Sequence, residues 1–307
     1  MVATDYHIPV LLSESISGLA IRPDGLYVDL TYGGGGHSKE ILKHLGNGKL
    51  VAFDQDEAVK DRLIADNRFE FVQHNFRYFG NYLNYLGYDR VDGILADLGV
   101  SSEHLDNPER GFSFRSDAYL DMRMSRGLKM TAADILRQSD EQDLKTILRD
   151  YGEVENAHRI ARRIVEIRQL HPIESTITLA ECLRPLFPSN RENKMMAQVF
   201  QALRIAVNHE IESLHEMLVQ TTGYLNPGGR LVVISYHSLE DRLVKNYIKG
   251  GNAEGTVHTD LFGQTLTPFR AINRKVIVPG QEEIERNSRA RSARLRIAER
   301  TDYQANV

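Results

Sequence analysis

One stretch restricts the fold more than any other: Val28-Asp29-Leu30-Thr31-Tyr32-Gly33-Gly34-Gly35-Gly36-His37-Ser38. An apolar run ends beside an aspartate and four glycines follow. Ile41, Leu42 and Leu45 then recur at helical spacing before Gly46 stops the pattern. Successive glycines let the backbone turn tightly and let a ligand approach it closely. A strand that runs through such a loop into a helix opens a βαβ unit, and the alternation continues. Leu26–Leu30, Lys49–Asp54, Phe69–Gln73 and Val91–Asp97 read as strands, with helices predicted over Glu57–Asn67 and around Phe79–Leu86. Much later, the turn Asn226-Pro227-Gly228-Gly229 precedes a strand over Arg230–Ser235 and a helix over Ser238–Lys249. Strands alternating with helices imply an α/β fold built on a parallel sheet.

Between Gly99 and about Arg204 the strand signals fade. Ala132–Leu136, Asp140–Asp150, Asn156–Gln169, Thr178–Leu186 and Glu192–Ile211 all carry helical spacing. The expected organisation is a discontinuous sheet domain, residues 1–104 and 205–307, interrupted by a mostly helical insertion over 105–204. There are no internal repeats and no low-complexity tract.

The single cysteine, Cys182, excludes an intramolecular disulfide and a cysteine-based zinc site, and fits a reducing cytosol. No secretory leader precedes Ile8, and the longest apolar runs fall far short of the roughly 20 residues of a membrane span. A cytoplasmic protein is expected. The net charge of −4 hides an uneven distribution. Glu155–Arg204 holds eight Lys/Arg against five Glu, and Arg286–Arg300 six Arg against one Glu. Phosphate binding needs a local positive surface and not a basic average. The plain alternative is two solvated faces.

The glycine loop does not give the dinucleotide pattern G-x-G-x-x-G, because Ser38 holds the third glycine's place; this weakens a nicotinamide oxidoreductase. The loop, from Gly33 on, equally suits S-adenosylmethionine, whose amino-acid part needs polar backbone groups. Asp54 closes the second strand, 21 residues after Gly33. A carboxylate there can accept both ribose hydroxyl protons of an adenosine cofactor; it could also cap the next helix, a task open to Asp56 too. Asp97 ends the fourth strand. Open α/β sheets bind ligands at the carboxyl ends of their strands, where Asp29, Asp54 and Asp97 would converge and suit a sulfonium cation. Metalloprotease spacing fails around His209-Glu210 and His215, and no Walker loop or G-x-S-x-G elbow is present, so no metal is inferred.

A series of longer motifs carries a specific resemblance. They are His7-Ile8-Pro9-Val10-Leu11-Leu12, the glycine loop with His37-Ser38, Asp92-Gly93-Ile94-Leu95-Ala96-Asp97-Leu98-Gly99-Val100-Ser101-Ser102, and Glu109-Arg110-Gly111-Phe112-Ser113-Phe114. Leu120-Asp121-Met122-Arg123-Met124, Phe200–Asn208, Ser235-Tyr236-His237-Ser238-Leu239-Glu240-Asp241-Arg242 and Ser288–Arg296 follow in order. From His7 to Arg296 the chain resembles the 16S rRNA (cytosine-N4)-methyltransferases, the RsmH or MraW family. The resemblance implies a class I S-adenosylmethionine-dependent methyltransferase domain (Rossmann-like) with a helical RNA-recognition insertion. It implies a substrate cytosine in the decoding region of 16S rRNA, in the small ribosomal subunit. It places S-adenosylmethionine contacts on Gly35, Gly36, His37, Asp54, Phe76, Asp97 and His104, although His104 stands where the family commonly has glutamine.

Methylation of cytosine N4 requires N4, methyl and sulfur in line, and an acceptor for the amine's hydrogen. Orientation alone supplies roughly 7–11 kcal/mol in well-arranged cases. Asp97 is the candidate acceptor. Many amino-methyltransferases carry an aromatic at the place of Val100 to stack on the base; here Tyr236 or Phe114 would have to serve. Arg159, Arg162 and Arg163 on one predicted helix, and Arg289, Arg291 and Arg294 in the C-terminal run, are candidate RNA contacts. The target base must be unpaired or flipped. A DNA or other RNA amino-methyltransferase and a non-catalytic, cofactor-binding assembly factor are the alternatives. The oligomeric state is left open, a homodimer among the options.

Overall fold

The computed structural model describes residues 9–263 and 265–303; His7 and Ile8 of the first family motif lie outside them. Two compact units emerge, one of residues 1–99 with 211–307 and one of residues 100–210.

The first unit begins with α1 (Leu12–Leu19), β1 (Leu26–Asp29), α2 (Gly36–His44), β2 (Lys49–Asp54), β3 (Phe69–Gln73), α3 (Phe79–Tyr85) and β4 (Val91–Asp97). Three of the four strands start and stop where their apolar runs do, and β1 ends one residue short of Leu30. The second unit contributes α4 (Ser102–Asp106), α5 (Ala132–Gln138), α6 (Glu141–Asp150), α7 (Ala157–Arg168), α8 (Thr176–Leu183) and α9 (Glu192–Asn208). The chain returns through α10 (Glu210–Tyr224), β5 (Leu225–Ser235), α11 (Ser238–Gly250), the short β6 (His258–Thr259) and β7 (Thr265–Leu266), β8 (Phe269–Ala271), α12 (Gln281–Arg286) and β9 (Arg294–Arg300).

The main sheet has the order β3-β2-β1-β4-β5-β9-β8. The first five strands are parallel, β9 runs antiparallel to β5, and β8 antiparallel to β9. Alternate side chains go to opposite faces. Val28, Val51, Phe53, Ile94, Ala96 and Val233 pack with α3, α10 and α11, whereas Tyr27, Leu50, Leu95, Val232 and Ile234 pack with residues of α1 and α2. Both faces are covered, which is why these strands read as near-continuous apolar runs. The order reverses between β1 and β4, the topological switch point at which open sheets of this kind bind ligands.

Two helix expectations need correction. Glu57–Asn67 is only a 3-10 turn over Glu57–Arg62, capped by Asp56 and followed by extended chain. The Arg62 carbonyl accepts the Tyr32 hydroxyl at 2.7 Å, which takes up an acceptor that a longer helix would use. Glu192–Ile211 is two helices, broken at His209 with φ 51°. The strand expected to start at Arg230 begins at Leu225, with a register shift opposite Val91 and Gly93 accommodating the Pro-Gly-Gly turn.

The second unit has its own core. Ile160, Ala161, Ile164 and Ile167 form the buried stripe of α7 and join Leu144, Leu148, Leu179, Leu183, Val199 and Leu203. Asn208 ties α9 to the preceding loop: its amide donates to the Met122 and Arg204 carbonyls and its oxygen accepts the Met124 N–H. Among the described residues no helix is long and apolar enough to cross a membrane.

Gly111 ends the 3-10 turn Pro108–Arg110 with φ 71°, and a Cβ there would lie 2.3 Å from the Tyr119 carbonyl oxygen. Backbone cannot yield as a flexible side chain does. Gly111→Ala is therefore expected to destabilise the second unit by more than about 1 kcal/mol. Hydrogen exchange of α7 and α9 amides in urea would report it; unchanged protection would refute the strain.

Candidate active site

The C-terminal ends of β1 and β4 set two carboxylates side by side. The parallel register pairs Asp29 with Leu95, so β4 carries Asp97 two residues further along the same edge. Asp29 is 1% exposed. Its Oδ2 accepts the Ser38 hydroxyl at 2.6 Å and its Oδ1 the Thr31 N–H at 3.1 Å. Burial pushes its pKa up to about 6 against those hydrogen bonds, with the Asp54 charge adding to the rise. Asp97 is 21% exposed at its side chain. Its Oδ1 accepts the Tyr236 hydroxyl at 2.8 Å, and its own N–H donates to Thr31 Oγ1 at 2.6 Å. Burial pushes Asp97 up to about 7; the Tyr236 hydrogen bond opposes the rise, and the charges of Asp29 and Glu240 add to it. Burial beside Asp97 also raises Tyr236, so the phenol stays a donor. No Lys or Arg among the described residues pairs with either aspartate. Perturbed carboxylates gathered in one cleft mark functional sites more often than chance.

The glycine loop covers this edge. Tyr32 N–H donates to the Phe53 carbonyl, Gly35 N–H closes a turn on the Tyr32 carbonyl at 2.7 Å, and Gly33 and Gly35 take φ of 51° and 73°. A Cβ on Gly35 would meet the Tyr32 ring at 2.7 Å, and one on Gly36 would meet Pro9 at 2.1 Å. Among the described residues, nothing lies within 4 Å of a Cβ added at Gly34. The first N–H groups of α2 have no carbonyl partner within the helix, as at any helix start, and favour a carboxylate or other anion. His37, 5% exposed, lies in that first turn. Its Nε2 is 3.2 Å from the Val10 carbonyl and its Nδ1 3.8 Å from Asp97 Oδ2.

Asp54 binds protein backbone: Oδ2 accepts Gly33 N–H at 2.8 Å and Oδ1 accepts Asp56 N–H at 2.9 Å. Capping of the next turn falls to Asp56. A carboxylate oxygen can accept more than one hydrogen bond, so ribose recognition is compatible with this role. Phe76 opens the 3-10 turn after β3 and is half-buried against the sheet core. These residues belong to the first unit. His104 belongs to the second, where it completes a capping box with Ser101 and its ring lies 5.0 Å from that of Phe112.

Tyr236, at the end of β5, is fixed by its N–H to Glu240 Oε2 at 2.9 Å and by its hydroxyl to Asp97. Phe114 packs edge-on against Phe200 in the second unit's core. Spacing along the chain gave no warning of Thr31, Ser38, Glu240 or the Val10 carbonyl. The signal that could have found Thr31 and Ser38 is the pair of hydroxyls at the two ends of the Tyr32–His37 loop.

The arginines separate into two groups. Arg159 and Arg162 are exposed on α7 and Arg163 partly so, with Glu141 3.7 Å from Arg162 and Glu166 3.9 Å from Arg163. Arg289 and Arg291 are exposed in the 3-10 turn before β9. The C-terminal run was expected to lack an acidic partner, and the structure corrects this: Arg294 and Arg296 both bind Asp241 of α11, at 3.2 and 2.7 Å. Burial pushes Asp241 up, but the two guanidinium groups outweigh it and hold its pKa low.

The fold and this edge define an α/β protein with a small-molecule cradle at its switch point. The chain belongs to the MraW methylase family, whose model matches residues 4–301. Its α/β unit is accordingly of the class I methyltransferase type. It is 55% identical over 296 residues to a protein of Bacteroides thetaiotaomicron named Ribosomal RNA small subunit methyltransferase H, covering 96% of this chain and 97% of that one. A protein of the same name from Christiangramia forsetii is 51% identical over 299 residues, covering 97% and 99%. Among solved structures the chain is similar to an rRNA methylase from Streptococcus thermophilus, with a TM-score of 0.41 and 12% identity over 95% of both chains; that likeness is too distant to bear on function.

The raised Asp97 pKa has a thermodynamic consequence. Between the ordinary carboxylate range, about 4, and about 7, the native protein keeps a proton that the unfolded chain has lost, so stability falls as pH rises through that window. Asparagine can accept the Tyr236 hydroxyl and carries no charge. Asp97→Asn is expected to raise the thermal midpoint at pH 8, with the gain shrinking by pH 5. Scanning calorimetry across that range checks it; a difference independent of pH would contradict the assignment.

Proposed function

We propose that this chain transfers a methyl group from S-adenosylmethionine to the exocyclic N4 of a specific cytosine in the decoding region of 16S rRNA, within the small ribosomal subunit and in the cytoplasm. The observation that carries the reading is the pair of carboxylates at the switch point, Asp29 buried and Asp97 partly so, held by hydroxyl and backbone donors and, among the described residues, by no Lys or Arg. Family membership and the printed name shared by the relatives narrow the class to ribosomal RNA methylation.

The residues present fit the cofactor. Glycine backbone and the start of α2 offer donors to an amino-acid carboxylate, and no described residue fills the place over Gly34. Asp54 is placed for ribose hydroxyls and Phe76 for an adenine face. The acidic edge of Asp29 and Asp97 suits a sulfonium. Gly33, Gly35, Gly36 and His37 would complete the cradle, and His104 is proposed as a further cofactor contact on the family resemblance alone. When bound, S-adenosylmethionine supplies an electrophilic methyl group and one positive charge.

The protein's own work is orientation and proton handling. Asp97 accepts a hydrogen bond from the N4 amine, which concentrates the lone pair on nitrogen, and Tyr236 holds the carboxylate still. Tyr236 is also placed to pack against the base. Arg159, Arg162 and Arg163 of α7 and Arg289 and Arg291 would meet phosphate. Arg294 can share in this only in part, since it already serves Asp241.

Small subunits from cells lacking this methylation, incubated with labelled S-adenosylmethionine and the protein, are expected to carry label on N4 of one 16S cytosine, located by nuclease digestion and mass spectrometry. Asp97→Ala should reduce incorporation by at least about 100-fold. Label on DNA or another base would keep the chemistry and overturn the substrate. Tight cofactor binding without label would favour an assembly factor.

A further inference from the structure

The Asp97 carboxylate has a second neighbour besides Tyr236. We infer that His37 is the proton-accepting partner of Asp97: starting from a neutral imidazole and an ionised carboxylate, the pair takes up the proton that the methylated amine must lose. The inference rests on the amine chemistry proposed above.

The tautomer follows from geometry. A backbone carbonyl can only accept, so the 3.2 Å contact of His37 Nε2 with the Val10 oxygen requires an N–H on Nε2. In the neutral ring Nδ1 is then bare, and Nδ1 is the atom that faces Asp97 Oδ2 at 3.8 Å. Asp97 Oδ1 is taken by the Tyr236 hydroxyl, which leaves Oδ2 for an incoming amine and for His37. Catalytic hydrogen bonds are often long in the free enzyme and tighten on binding.

The setting is held in place from three sides. The Val10–Leu11 segment is fixed where Leu11 N–H donates to Glu283 Oε1 at 2.8 Å, tying the chain before α1 to α12. Pro9 sits against Gly36. Thr31 fixes the Asp97 backbone. Among the described residues, charged and titratable groups near the pair are Asp29 from β1, Tyr236 and Glu240 from the end of β5 and α11, and, acting on Tyr236, Glu283 from α12. All but the phenol are acids. Such a surround favours an imidazolium and opposes a second carboxylate charge.

The proton balance is complete without any further reactant. The N4 lone pair makes the new bond to the methyl carbon as that carbon's bond to sulfur breaks, and the electron pair of the broken bond stays on a sulfur that becomes neutral. One N4–H bond breaks, its electron pair stays on nitrogen, and the methylamino group is left neutral. The proton passes to Asp97 Oδ2 and on to His37 Nδ1. Imidazolium and carboxylate then stand as an ion pair at an edge that has just lost the cation brought by the cofactor, so the local charge is conserved through the reaction. The proton leaves to solvent when the products do.

The test reads the pair directly and needs no turnover. Nitrogen-15 NMR of the His37 ring in the cofactor-free protein, assigned with His37→Gln, is expected to show the Nε2–H tautomer when neutral. In Asp97→Asn the pH midpoint for forming the imidazolium should fall by about one unit or more. Single-turnover methylation by His37→Gln at saturating cofactor, with an amide that can still donate to the Val10 carbonyl, should slow about 100-fold and flatten the pH dependence of the rate. An Nδ1–H tautomer, or a midpoint indifferent to Asp97→Asn, overturns the inference even if His37→Gln fails to fold. A slower His37→Gln with an unchanged pH profile would overturn it too, in favour of a plain contact. If the protein methylates another substrate or none, the titration still decides the pair, and the labelling of small subunits decides the function.

Discussion

The active edge depends on two carboxylates that the fold buries without giving them a cation. Asp29 and Asp97 end adjacent parallel strands, so the register of β1 on β4 fixes their spacing before any side chain is chosen. Each is satisfied by neutral donors, Ser38 and the Thr31 N–H for one and Tyr236 for the other. A guanidinium here would relieve the strain of burial, and it would also occupy the place of a cationic ligand. Leaving the site acidic and underneutralised costs stability and makes binding of a positive group favourable, the exchange expected where a pocket is preorganised for its ligand. The glycine loop, the Asp54 bonds and the placement of Pro9 on Gly36 all shape the wall around that deficit.

Much of the sheet domain was legible because its signals are local. β2 and β4 have the bounds of their apolar runs, since strands buried on both faces admit little else, and β3, at the sheet edge with only Val72 buried, keeps its bounds too. The aspartates at the strand ends could be named from the same pattern. What escaped was set by distant partners. The segment after Asp56 has helical spacing but is drawn out toward Tyr32, 30 residues earlier in the chain. The Tyr236–Asp97 bond joins residues 139 apart. Tyr236 was named for stacking, from its place at a strand end, whereas the bond reveals a role in holding Asp97. His37 was named through resemblance alone; its geometry toward Val10 and Asp97 has no trace in composition or periodicity.

The chain beyond α11 carried weaker signals still. β8 is three residues long and β9 alternates arginine with apolar residues, a pattern that reads as a basic tail until β5 is there to pair with it. In the sheet that alternation is simply an edge-side strand. Leu295 and Ile297 go to the core, and Arg294 and Arg296 share the other face with Asp241. α12 has no buried side chain, yet its Glu283 reaches the Leu11 N–H and so braces the segment that carries the Val10 carbonyl.

The same strand shows why charge counted along a sequence overstates charge available to a polyanion. Of the six arginines between Arg286 and Arg300, Arg294 and Arg296 answer Asp241. Arg300 is buried and donates to the carbonyls of Thr222, Pro268, Thr301 and Tyr303. Half of the basic run is therefore holding the sheet domain together. The remainder, Arg286, Arg289 and Arg291, lies in or beside one turn and is exposed. On the proposed reading, these three would join the α7 arginines in contacting phosphate, which positions RNA and carries no base preference. On that reading, discrimination of the target would come from the shape of the RNA and from the acidic sheet edge, which favours an amine over a phosphate.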